Sequence, residues 1–98
     1  MTTIYKMYKV RPTEAWYQLN PAEQEALLKQ VGEALDQAGG KRVVDCNSQW
    51  ASDRWLGFGV EEFPSLEAQQ KHTELLSALH WFRYVDGDTL LGTKGIMS

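Results

Sequence analysis

A chain of 98 residues holds one domain and is too short for two. A domain this small hides only roughly 60% of the surface its unfolded chain exposes, so burial against a partner helps it. Ten basic residues against thirteen acidic ones give a net charge of −3 with no basic run, which leaves out the electrostatic footprint of a nucleic-acid binder. No stretch approaches the roughly 20 apolar residues of a membrane span, and Met1 to Lys6 lacks the apolar core of a signal peptide. The single cysteine, Cys46, forbids an internal disulfide and reads as a small buried hydrophobe. A cytoplasmic protein is expected.

Ile4 to Val10 alternates in the manner of a strand, which Pro12 ends. Thr13 then caps a short helical turn carrying Trp16 and Leu19. Asn20-Pro21-Ala22-Glu23 is a helix start, with an N-cap, a proline at the first helical position and a glutamate placed for a capping box. Leu27, Leu28, Val31, Leu35 and Ala38 form one apolar stripe behind it. Gly32 beside that stripe predicts a close approach of helix to sheet, and Gly39-Gly40 ends the helix.

Two strands follow, Lys41 to Trp50 and Trp55 to Phe63, joined by a hairpin loop at Ala51-Ser52-Asp53-Arg54. Ser65 caps a second helix whose inner face carries Ala68, His72, Leu75, Leu76 and Leu79. Trp81 to Val85 reads as the last strand, Asp86-Gly87 as a turn, and Thr89 to Gly92 as a short extension. The tail, Thr93 to Ser98, is expected to fray or to serve an interface. The β-α-β-β-α-β order is the ferredoxin-like, split βαβ arrangement, an α+β domain in which both helices cover one face of a four-stranded antiparallel sheet. The other face must meet something, and a second copy related by a two-fold axis is the simplest partner.

Pro12, Trp16, Leu19, Asn20-Pro21-Ala22-Glu23 and the closing Trp81-Phe82-Arg83-Tyr84, with Gly92 beyond, resemble the dimeric α+β barrel superfamily. The likeness is greatest to small bacterial families such as darcynin. It extends to antibiotic-biosynthesis monooxygenases and muconolactone isomerases. The resemblance implies a homodimer and a pocket for a small molecule; fold alone does not carry a reaction.

Asp45, Asn47 and Gln49 share one strand face, and Val44, Cys46 and Trp50 the other. Leu56, Phe58 and Val60 lie opposite Trp55, Gly57 and Gly59. If the apolar faces meet the helices, the polar face, stripped of bulk at Gly57 and Gly59, has room for a ligand or forms a wet dimer interface. His72 on the apolar side of its helix is either a packed core residue or a general acid or base. His80 ends the same helix, where the dipole favours its cation, and is a candidate at the pocket edge. Tyr5, Tyr8 and Tyr84 each offer a ring with a polar tip. Tyrosine–histidine pairs suit the proton transfers of cofactor-free cyclases and isomerases in the superfamily, which makes His72, Tyr5 and Tyr84 the catalytic candidates. Asp45, Asn47, Gln49, Trp55, His80 and Arg83 are the binding candidates, Arg83 for a substrate anion or enolate. Glu61 and Glu62 are adjacent and point to opposite faces.

No zinc signature, phosphate loop, dinucleotide fingerprint or nucleophile elbow is present, so no metal and no cofactor is expected. The first function expected is a small cofactor-independent enzyme acting on an aromatic or polyketide-like molecule, by proton transfer or oxygenation. The second is a non-catalytic ligand-binding or structural homodimer. The third is haem binding, which the resemblance ties to an Asn on the first strand, a Trp on the third and a His on the second helix. Trp55 and His72 match in kind, but the first strand carries Tyr5, Met7 and Tyr8 and no Asn.

Overall fold

The computed structural model describes residues 2–95. Within them the chain runs β1 (Ile4–Pro12), α1 (Glu14–Tyr17), α2 (Pro21–Gln37), β2 (Lys41–Asn47), β3 (Gly57–Phe63), α3 (Leu66–Ala78), α4 (Trp81–Tyr84) and β4 (Val85–Gly92). The strands pair in the order β2-β3-β1-β4, each antiparallel to its neighbours. This is an α+β fold whose strand order is consistent with the ferredoxin-like arrangement. The expectation for the tail falls partly on residues 96–98, outside the described residues.

The helix ends follow their local chemistry. Asn20 Oδ1 accepts from the Glu23 amide at 2.8 Å and Glu23 Oε1 accepts from the Asn20 amide at 2.9 Å, closing the capping box. Gly39, at φ 79°, turns the chain out of α2. Ser65 Oγ accepts from the Ala68 amide at 3.1 Å and starts α3.

Elsewhere the boundaries differ from expectation. Trp81 to Tyr84 is a helical turn, not a strand, and β4 runs unbroken from Val85 through Asp86-Gly87 to Gly92. His80, in the left-handed region at φ 57°, separates α3 from α4. Gly87 is a sheet residue facing Val10, where a Cβ would collide with the Lys9 carbonyl. Thr13 does not cap α1 with its side chain. Its hydroxyl donates to the Arg83 carbonyl at 2.7 Å and its amide to the Tyr84 carbonyl at 3.0 Å, tying α1 to α4. The edge of one ring meets the face of the other between Trp16 and Trp81, with centroids 6.3 Å apart.

The loop between β2 and β3 is longer than the four residues expected, spanning residues 48–56. Asn47 Oδ1 accepts from the Gln49 amide, and Ser52 Oγ accepts from the amides of Arg54 and Trp55. Those side chains offer the backbone partners that compete with the strand ladder. Gln49, Trp50 and Trp55 therefore leave the sheet.

The helix-covered face was also expected to be the other one. Phe63, 1% exposed, packs with Leu35 and Ala38 of the α2 region, with Ile4, Ala68 and Leu75 around them. Register then puts Gly57, Gly59 and Glu61 on the covered face together with Lys6, Tyr8 and Val10. Met7, Val44, Cys46, Phe58, Val60 and Leu90 occupy the face with no helix over it. Phe63→Ala removes the most deeply buried aromatic ring and is expected to lower unfolding free energy by about 3–5 kcal/mol in a denaturant titration.

Candidate functional site

Two cross-strand rows carry polar side chains across the covered face. One reads Leu91, Lys6, Glu61, Arg42, and the next reads Thr89, Tyr8, Gly59, Asp45. Strict alternation would put Arg42 and Asp45 on opposite faces. A bulge between Arg42 and Val44 inserts one extra residue into β2 and brings both to the covered side. The phenol of Tyr8 lies across Gly59, where a Cβ would strike its hydroxyl. The missing side chain at Gly59 thus gives Tyr8 its place beside Asp45.

Helices roof these rows without filling the space beneath. The result is a cavity of about 510 Å³ with two unlike ends. Lys6, Tyr8, Arg42, Asp45, Glu61 and His72 form the polar end, and Val10, Trp16, Leu28, Val31, Trp81 and Phe82 contribute to the apolar end. Gly32 lines it too, and a Cβ there would meet nothing within 4 Å. This corrects the expected close approach of helix to sheet at Gly32: what the glycine leaves is open space in the cavity.

Charge at the polar end is organised by Glu61, 4% exposed. One carboxylate oxygen lies 3.8 Å from Lys6 Nζ and the other accepts from Arg42 at 3.1 Å. Lys6 Nζ is also 3.4 Å from His72 Nδ1. An ammonium group only donates, so Nδ1 accepts and the neutral ring carries its proton on Nε2. Burial, then the nearby Lys6 and Arg42 charges, hold the His72 pKa down to about 4. Burial likewise lowers the Lys6 pKa against the opposing pull of Glu61. For Tyr8, burial first and then Asp45 and Glu61 outweigh the opposing effect of Arg42, and the pKa rises to about 12. At neutral pH the site therefore presents a neutral imidazole and a protonated phenol.

Of the candidates from sequence, His72 and Asp45 line this cavity. Tyr5 lies on the open face across from Glu62 and Gly92. Tyr84 is half-buried in α4, and Arg83 is exposed beside it. His80 is exposed at its backbone break, Asn47 supports the loop turn, and Gln49 is exposed in that loop. Trp55 lines a separate hollow on the open face, beneath Lys9 at 4.6 Å and Arg11 and Arg54 at 5.5 Å each. Trp55 and His72 thus sit on opposite sides of the sheet, so within one chain they do not meet on a single group as the haem reading requires. Lys6, Arg42 and Glu61 were not singled out as site residues. Lys6 and Tyr8 share strand parity with the core residue Ile4, a signal available in the sequence; Arg42 depends on the bulge and had none.

No protein-family model matches the sequence, and no curated protein matches it. Among solved structures, the fold is similar to a protein of unknown function from Rhodopseudomonas palustris, with a TM-score of 0.65 and 18% identity over 96% of this chain and 83% of that one. At that identity the likeness speaks for the fold. Among the described residues, no group of three or more His, Cys, Asp or Glu is arranged to hold a metal ion, and no helix is long and apolar enough to cross a membrane.

Two outcomes follow from this geometry. His72 should stay neutral down to about pH 4 in an NMR titration of its ring protons. Between that value and the unfolded histidine pKa of about 6.5, the unfolded chain binds the extra proton, so stability falls as pH drops through the window. His72→Gln should flatten that part of the profile of melting temperature against pH. Gly32→Ala should raise stability by about 0.5–1 kcal/mol in chemical denaturation, since helix propensity improves and nothing is displaced.

Proposed function

We propose that the cavity between sheet and helices is the binding site of a small amphipathic molecule with an aromatic or polyketide-like body. We further propose that the protein promotes proton transfer on it without a cofactor. The observation that carries this reading is the division of the cavity into a Trp- and Leu-lined end and a polar end of six hydrogen-bonding side chains. Apolar rings fix the body of the ligand while a few directed groups orient its reactive oxygen.

The roles follow from protonation. His72, neutral and with Nδ1 engaged by Lys6, is a donor through Nε2–H rather than a base. Tyr8, protonated at neutral pH, is a second donor. Asp45 is the exposed carboxylate beside Tyr8 and is the base of this scheme. Removal of a proton next to a carbonyl puts negative charge on its oxygen, and the two donors stabilise that charge as it forms.

The helix-free sheet face completes the proposal. Met7, Val44, Phe58 and Leu90 are 50%, 41%, 46% and 65% exposed there. The strip is rimmed by Lys9–Asp88 at 3.6 Å and Arg11–Asp86 at 3.9 Å. A face with an apolar centre and both charge signs at its rim is complementary to itself under a two-fold axis, which makes a second copy of this chain its partner.

Two measurements test these readings. Flat aromatic ligands should quench the emission of Trp16 and Trp81, and Gly32→Leu, which projects a side chain into the cavity, should weaken quenching in a folded protein; unchanged quenching would place the ligand elsewhere. Light scattering should give twice the 11.2 kDa mass of the chain, with Leu90→Asp shifting the mass toward the monomer. A monomeric wild-type protein at micromolar concentration would remove the dimer from the proposal.

A further inference from the structure

We propose that the polar end of the cavity takes an anionic oxygen group, a carboxylate or the enolate or phenolate of an amphipathic molecule, held between Lys6 and Arg42. This rests on the cavity being the ligand site and specifies the class of ligand. Arg83, the cation expected to orient a substrate anion, is exposed on α4 and does not line the cavity; Arg42 and Lys6 stand there instead.

Three features support an anion at this place. Glu61 divides its two oxygens between two cations, so the Lys6–Glu61–Arg42 triad carries one positive charge more than Glu61 meets. His72, beside Lys6, is a neutral hydrogen-bond donor and adds no negative charge. Asp45, the other acid of the cavity, is exposed on the next cross-strand row and draws on Arg42 from the solvent side, while at the inner end Lys6 has Glu61 as the one carboxylate acting on it. A carboxylate between Lys6 and Arg42 balances the triad, and the Arg42 guanidinium, 40% exposed, has free N–H groups to give. Beyond the polar end, the apolar part of the cavity accepts a ring or a short alkyl chain. The ligand is therefore a monoanion at one end and a hydrocarbon at the other.

A matched pair of ligands tests this: 4-phenylbutyrate and its uncharged amide, titrated by calorimetry and Trp fluorescence at pH 7.5. Wild-type protein should bind the acid about tenfold or more tightly than the amide, the ratio expected when a charge-assisted contact replaces a neutral one. Arg42→Met, taken forward once a thermal melt shows it folded, should shrink that ratio to about threefold or less. Glu61→Gln, which removes the competing carboxylate, should widen it. Arg54→Gln, in the cationic group around Trp55 on the other face, should leave it unchanged. Equal binding of acid and amide would overturn the anion assignment and leave the cavity as the ligand site. A preference intact in folded Arg42→Met, or lost in Arg54→Gln, would overturn it as well. Binding of neither ligand would remove both the assignment and the reading on which it rests.

Discussion

The covered side of the sheet is organised by the need to neutralise Glu61 where it lies. A carboxylate 4% exposed to solvent is costly unless its charge is met by well-placed partners. Here Lys6 and Arg42 meet it from the two neighbouring strands, one on each oxygen. Burial, and then the charges of these two cations, set the state of His72, whose ring lies tilted against Phe63 at a centroid distance of 5.2 Å and accepts from Lys6. The histidine cannot gain a proton there without placing a third positive charge beside two others. One carboxylate thus links the hydrophobic core at Phe63 with the chemistry of the cavity.

A bulge and two glycines convert that charge arrangement into a site. Without the extra residue near Val43, Arg42 would face the same side as Val44 and Cys46, and Glu61 would keep only Lys6. Without Gly59 the Tyr8 ring could not lie over β3, and a longer side chain at Gly32 would project into the open space of the cavity. Each device is local, and each costs some regularity or helix propensity. The space they leave is lined at one end by Trp16 and Trp81, which also hold α1 to α4. The same aromatic contact therefore closes the fold and forms the apolar wall of the cavity.

Moving the polar side chains to the covered face leaves the apolar ones outside. Met7, Val44, Phe58 and Leu90 stand on a face with no helix over it among the described residues. Among the described residues the buried hydrophobic side chains are few, with Phe63 the one large side chain fully enclosed. A small domain whose own core is modest and whose bare face is apolar gains from association. In this way the inward turn of the polar rows and the apolar character of the outer face have a common origin.

Local chemistry determined much of this protein from sequence alone. The Asn20–Glu23 capping box, the Ser65 cap, the Gly39 exit and the βαββ part of the order are set by contacts within a few residues, and those are legible without a structure. Alternation also sorted Asp45 and Asn47 from Val44 and Cys46, and Gly57 and Gly59 from Phe58 and Val60, because side chains in a strand point to opposite sides with period two. What alternation does not contain is which side the helices cover. That was decided by Phe63, which shares parity with the glycines and packs against α2 and α3. The helical turn at Trp81 and the long β4 were decided by the contacts of Thr13 and Trp16 some seventy residues earlier in the chain. Arg42 reached the site through a bulge that exists only when β2 pairs with β3. Lys6, Arg42, Glu61 and His72 come from four separate segments, and only pairing and packing bring their charges within reach of one another.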